Sequence, residues 1–308
     1  MKRAFGLCMV LLFVWAAAPW ASQAKETEEP TFADVAYGPY ERNILDFWQA
    51  PSESPTPVIV WIHGGGFVEG GKGGFARWGV DNIRRCRAAD VSVAAINYRF
   101  ITTAALQDIV RDSARAIQFL RYQAKSWNID KTRIMSFGDS AGAGMSLWLA
   151  FHDDLADPDN ADPVLRESTR LFAAGALAPQ ASYDFSRWPE ILDIPQLTWW
   201  ITQYYVSPTY YHLRVAKATA AQRRRVRADL DMLAWIDPKD PPVFLFSDRK
   251  DGPLDFDILH HPAHVRALQK ACEAGHVSCT IVDLQTPPEK RINEFDFFLE
   301  RLGSKKPR

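Results

Sequence analysis

Short, uninterrupted apolar runs alternate along this chain with stretches whose apolar residues recur every three to four positions. Pro57 to Ile62 (Pro-Val-Ile-Val-Trp-Ile) reads as a strand buried on both sides, and Val91 to Tyr98 and Arg133 to Phe137 repeat the pattern. Leu171 to Leu177, Val243 to Phe246 and Thr280 to Leu284 continue it. Between these runs, Asp108 to Lys125 places Ile109, Ala116, Ile117 and Leu120 on one helical face. Pro262 to Ala274 and Ile292 to Leu302 behave alike. Apolar strands without alternation belong to a parallel sheet covered by helices on both faces. Phe32 to Trp48, ahead of the first buried strand, predicts an antiparallel hairpin. One region breaks the rhythm. From Tyr183 to Asp240 no strand is predicted, and Trp188, Trp199, Trp200, Tyr204, Tyr205, Tyr210, Tyr211 and Trp235 crowd together, as in a helical insertion laid over the sheet.

Length and composition narrow the class. The chain has 308 residues, 47% of them hydrophobic and 24% charged, enough apolar material to bury a large core. Lys2 and Arg3 precede an apolar run from Ala4 to Ala18, and Ser22-Gln23-Ala24 follows with small residues at the positions a signal peptidase reads. The run is shorter than the ~20 residues of a membrane-spanning helix. Residues 1–24 are therefore expected to be a signal peptide, and 25–308 a single domain with its insertion at about 183–240. The expected location is periplasmic or secreted, with no membrane contact after signal cleavage. Loss of Lys2 and Arg3 takes the formal net charge from −1 to −3, which lacks the basic footprint of a nucleic-acid binder. Arg223, Arg224, Arg225 and Arg227 read as a solvated helix face. Cys272 and Cys279 flank a short turn, a spacing that fits either a local disulfide or two buried thiols, and no cysteine pattern suggests zinc.

Chemistry concentrates at two glycine-rich motifs. Gly138-Asp139-Ser140-Ala141-Gly142 lies directly between a predicted strand and a helical run from Gly144 to Phe151. A nucleophile on a sharp strand-to-helix turn needs small neighbours, and the turn exposes the Ser140 hydroxyl at the C-terminal edge of the sheet. His63-Gly64-Gly65-Gly66-Phe67 ends the first buried strand, and its glycines free backbone N–H groups to converge on one point, as an oxyanion hole requires. No Gly-Lys-Ser/Thr follows, which argues against a phosphate loop. His63 is expected to hold its loop by hydrogen bonds.

His63-Gly-Gly-Gly-Phe67 with Gly138-Asp-Ser-Ala-Gly142 resembles the α/β-hydrolase superfamily, in the branch of hormone-sensitive-lipase-like and bacterial feruloyl-esterase-like carboxylesterases. The resemblance extends over Asp34-Val-Ala-Tyr-Gly38, Leu45-Asp46, Ala95-Ile-Asn-Tyr-Arg99 and Trp127-Asn-Ile-Asp130, and thins after about Leu259. It implies an α/β-hydrolase fold: a mostly parallel central sheet, helices on both faces, and a helical cap before the acid-bearing strand. It also implies a small-molecule ester substrate and no cofactor. Carried over, Ser140 is the nucleophile, and the N–H groups of Gly65, Gly66 and Ala141 hold the oxyanion. The acid maps to Asp251, with Asp248, Asp255 and Asp257 as neighbours one register error away.

The family's histidine sits in the loop after the last strand, and here that loop, Gln285 to Arg291, has none. Without an imidazole to take its proton a serine is a poor nucleophile at neutral pH. In one reading the base has moved to His260 or His261, just ahead of a helix that Pro262 begins and at the same sheet edge as Ser140. His264 would then be packed, and His276 lies at the opposite edge. His260 and His264 do not share a helix face, so no metal site is expected. In a second reading the base is lost and the protein binds a ligand without catalysis. In a third, His212 of the insertion supplies the base. An amidase or peptidase with the same nucleophile is the further rival, weakened by its need for an acid to protonate a leaving amine.

Overall fold

The computed structural model describes residues 27–194, 208–211, 219–250 and 257–303. The predicted signal segment lies outside them. Eight strands form one sheet among the described residues: β1 (Phe32–Ala36), β2 (Ile44–Trp48), β3 (Thr56–Ile62), β4 (Ser92–Ile96), β5 (Ile129–Asp139), β6 (Ala173–Leu177), β7 (Val243–Phe246) and β8 (Cys279–Val282). Their spatial order is β1-β2-β4-β3-β5-β6-β7-β8. β1 with β2 and β2 with β4 pair antiparallel, and every later pair is parallel. The hairpin and all six predicted core strands are present. β5 runs further than its apolar stretch, because Ile129 already pairs with Thr56 across a register shift.

Six longer helices flank the sheet among the described residues: α1 (Val80–Ala88), α2 (Leu106–Tyr122), α3 (Ala141–Phe151), α4 (Ala220–Leu230), α5 (Ala263–Ala274) and α6 (Glu294–Arg301), with α4 lying on α2 and α3. Alternation along β3 divides the core. Val58, Val60 and Ile62 join the cluster beneath α2, α3 and α5, while Ile59 and Trp61 join the one beneath α1 and α6. All seven β3 residues are buried, hence a continuous apolar run rather than an alternating one. α3 is buried at every position from Ala141 to Phe151, which places the helix behind Ser140 in the centre of the molecule.

The insertion between β6 and β7 contains no strand among its described residues. Its helix α4 opens with a capping box between Thr219 and Gln222 and docks onto α2 and α3 through Asp229. The Asp229 carboxylate accepts from Gln107, Arg111 and His152, and its carbonyl accepts from Trp148 Nε1. Trp188 is fully buried and Trp235 packs 4.5 Å from the His152 ring, so these rings fasten the insertion to the body. Trp199, Trp200, Tyr204, Tyr205 and His212 lie outside the described residues. Cys86, Cys272 and Cys279 are free thiols, so the local disulfide that the spacing of the last two allowed is not formed here. Among the described residues no helix is long and apolar enough to cross a membrane, and no His/Cys/Asp/Glu cluster could hold a metal ion.

Candidate active site

Ser140 occupies the turn between β5 and α3 with φ 49° and ψ −114°, a conformation that costs a non-glycine residue roughly 1–3 kcal/mol. The surroundings fix it. Its N–H donates to the Leu177 carbonyl at 2.9 Å, and its carbonyl accepts from Gly144 at 3.1 Å, the first intrahelical bond of α3. The turn also presses against the end of β3. A Cβ on Gly142 would lie 1.9 Å from the Ile62 carbonyl oxygen, so only glycine fits there. The side chain of Ser140 thus emerges at the C-terminal edge of the sheet, at the N-terminus of α3.

The glycine loop after β3 faces it. Gly65 and Gly66 have φ of +99° and +59°, which turn the chain sharply and leave their N–H groups, like that of Ala141, with no partner among the described residues. Fixed contacts hold the loop from behind. Tyr98 donates its hydroxyl to the carbonyls of His63 (2.7 Å) and Gly64 (3.1 Å), and Arg42 donates to the Gly70 carbonyl. The His63 ring stacks on Tyr98 with centroids 4.1 Å apart. Its Nδ1–H donates to the Gly64 carbonyl, and Nε2 accepts from Arg42. Burial first, and the Arg42 charge with it, press this imidazole down to about 4, so it is neutral at pH 7. Both nitrogens are engaged, one within the loop and one by Arg42. A cleft of about 700 Å³ opens beside the loop, lined by Trp61, Gly64, Gly65, Arg77, Trp78 and Asp139. Asp139, next to the serine, is raised by burial.

His260 lies on Ser140. Its Nε2 is 2.9 Å from the serine Oγ, and its Nδ1 is 2.8 Å from Oδ2 of Asp257. The carboxylate accepts from Nδ1–H, so the Nε2 lone pair faces the serine hydroxyl. Asp257 Oδ1 also accepts the backbone N–H of His260 at 3.2 Å. The carboxylate and imidazole thus belong to a single turn before α5, three residues apart.

The other described histidine candidates fall elsewhere. His261 turns away, its Nδ1 accepting the N–H of Ala263 at the start of α5. Asp251 and Asp255 lie outside the described residues, and the carboxylate on His260 is that of Asp257, the neighbour in the predicted set. His264 is fully buried and His276 sits in the turn before β8. The loop 285–291 carries no histidine, and His260 stands at Ser140 in its place. The legible signal for Asp257 was local: Asp-x-x-His just ahead of a helix lets one carboxylate reach both the N–H and the Nδ1 of the histidine.

A strained serine between strand and helix, a glycine loop opposite it and a Ser–His–Asp hydrogen-bond chain on an eight-stranded sheet define an α/β-hydrolase-fold protein. The chain belongs to the BD-FAE family, whose model matches residues 45–257. That match ends three positions before His260. A probable isoprenylcysteine alpha-carbonyl methylesterase of Arabidopsis thaliana is 31% identical over 124 residues, which are 40% of this chain and 28% of that protein. A probable carboxylesterase M8 of a Phoma species is 32% identical over 116 residues, 35% of each protein. The chain thus spans about a third or less of the length of these two relatives. Among solved structures, a truncated carbohydrate esterase from gut microbiota superposes with a TM-score of 0.65 at 15% identity, over 90% of this chain and all of that one. The apo form of esterase 2 from Thermogutta terrifontis gives 0.61 at 18% identity, over 91% of this chain and 98% of that one. At these identities the likeness is one of fold.

Proposed function

We propose that the protein is an exported serine hydrolase that cleaves carboxylic esters through an acyl-enzyme. The observation that carries this reading is the 2.9 Å contact between Ser140 Oγ and His260 Nε2, with Asp257 on the far nitrogen of the same ring. Ser140 attacks the ester carbonyl as His260 takes its proton, and the resulting imidazolium is stabilised by Asp257. The oxyanion accepts hydrogen bonds from the unpaired N–H groups of Gly65, Gly66 and Ala141, each such donor being worth on the order of 10²–10³ in rate. His260 then returns the proton to the departing alcohol, and a water that it activates releases the acid. The cleft beside Trp61, Arg77 and Trp78 takes one side of the substrate. BD-FAE membership and the esterase names of the relatives support ester chemistry. Export rests on the charged head, apolar run and Ser22-Gln23-Ala24 of the first 24 residues.

Fluorophosphonate labelling of the purified protein tests the reading. Wild type is expected to label and to hydrolyse a short-chain aryl ester. Ser140→Ala and His260→Ala should do neither beyond a residue of about one part in 10⁶, whereas His261→Ala should retain both. A folded wild type that neither labels nor turns over would leave a ligand-binding protein on a hydrolase fold. Expression with residues 1–24 intact and intact-mass analysis of the secreted fraction tests export: the expected chain begins at Lys25.

A further inference from the structure

His260 lies in the turn Asp257 to His260 ahead of α5, and the two middle carbonyls of that turn are both held from outside. His264 Nε2–H donates to the Ile258 carbonyl at 3.0 Å. Gln180 Nε2 donates to the Leu259 carbonyl at 2.9 Å. His264 is itself fixed at its other nitrogen, where Nδ1 accepts the N–H of Ala181 at 3.3 Å, and the Trp188 ring meets it edge-on at 4.9 Å. Gln180 and Ala181 belong to the segment that leaves β6 at the catalytic edge of the sheet, one strand from the serine turn. Both side chains are buried, Gln180 to 6% and His264 to 0% exposure. Burial presses the His264 imidazole down to about 4, so at neutral pH it is uncharged with one donor and one acceptor, the combination these two contacts require.

We propose that Gln180 and His264 are positioning residues for the base: they clamp the carbonyls of Ile258 and Leu259 and so fix the height and tilt of His260 over Ser140. This rests on the catalytic reading above. Asp257 and His260 are partners within one turn, so their pairing travels with that turn and does not fix where the turn sits. Contacts to residues outside it do: the two carbonyl hydrogen bonds, beside a longer 3.8 Å ion pair from Arg249 to Asp257. Without the clamp the Asp257–His260 pair persists but drifts from the serine, and a misplacement of about 1 Å costs on the order of 10² in rate.

The test compares Gln180→Met, His264→Gln and His264→Leu with wild type, using ester turnover, fluorophosphonate labelling and hydrogen exchange of the segment 257–261. Gln180→Met keeps shape and removes only the donor. It is expected to melt as wild type does, with kcat down 10- to 100-fold, KM within about twofold, slower labelling and faster exchange across 257–261. His264→Gln preserves a donor for Ile258 and should retain more kcat than His264→Leu. If the buried His264 variants do not fold, Gln180→Met alone decides. Wild-type kcat and exchange in Gln180→Met would overturn the inference, as would a loss that only follows a lowered melting temperature. Failure of the catalytic reading has a different signature, in which wild type does not label or His260→Ala labels as well as wild type.

Discussion

Asp257 and His260 hold each other twice: the carboxylate accepts the histidine's ring N–H at 2.8 Å and its backbone N–H at 3.2 Å, all within one turn before α5. An orienting acid in most hydrogen-bond chains of this kind comes from a distant part of the sequence. Here it is three residues away, so imidazole and carboxylate are brought to Ser140 as one unit.

Replacing Asp257 should therefore be felt in turnover and not in binding. Asp257→Asn leaves the shape but lets the amide donate to Nδ1, which places the proton on Nε2 and removes the lone pair facing the serine. A fall in kcat of about 10⁴ with KM nearly unchanged is expected. Steady-state kinetics of Asp257→Asn beside Asp251→Asn decide between the two carboxylates, and a large loss at Asp251 alone would return the orienting role to it.

The serine turn should not tolerate a methyl group. Gly142→Ala would drive a Cβ to 1.9 Å from the Ile62 carbonyl oxygen, a strand backbone atom. Relief requires the turn to move off β3, at a cost of about 1–3 kcal/mol and with Ser140 displaced. Gly73→Ala, whose Cβ meets nothing within 4 Å, is the control and should lie within about 0.5 kcal/mol of wild type. Urea denaturation with parallel labelling reads both effects.

Tyr98→Phe should loosen the glycine loop after β3. The fully buried hydroxyl donates to the carbonyls of His63 and Gly64; its removal takes that donor from His63, while Gly64 keeps the His63 Nδ1–H. A stability loss of about 1–2 kcal/mol is expected, with kcat lowered more than KM is raised. Differential scanning calorimetry and ester kinetics on the same preparation separate the two.

Docking of the insertion should fail at low pH. Burial pushes the Asp229 carboxyl up, but the hydrogen bond from His152, the Arg111 charge and the hydrogen bond from Gln107 outweigh it and bring it down to about 2. A depressed carboxyl stabilises the folded state above its ordinary value of 3.8, and that contribution disappears as pH falls from about 4 towards 2. Asp229→Asn is expected to cost on the order of 1–2 kcal/mol at pH 7, a discounted conversion for a partly exposed pair. Its melting curve should approach that of wild type only as the pH falls to about 2 and below. A gap independent of pH would assign the loss to packing.

The sheet, the serine turn and the glycine loop were legible in the sequence because each is imposed by local physics. Strands buried on both faces must be apolar at consecutive positions, as Val58 to Ile62 are. A helix start pressed against the end of a neighbouring strand has no room for a Cβ and must carry glycine, as Gly142 does against the Ile62 carbonyl. Two histidines, His260 and His261, were equally compatible with the sheet edge, and no periodicity separates adjacent residues in a loop. Only the tertiary structure decided between them, since the choice rests on a contact between residues 120 apart and on which ring the start of α5 turns away. The clamp by Gln180 and His264 was hidden for the same reason: a side-chain donor finds a particular backbone carbonyl only after β6 and α5 have packed together, and no spacing along the chain encodes that meeting.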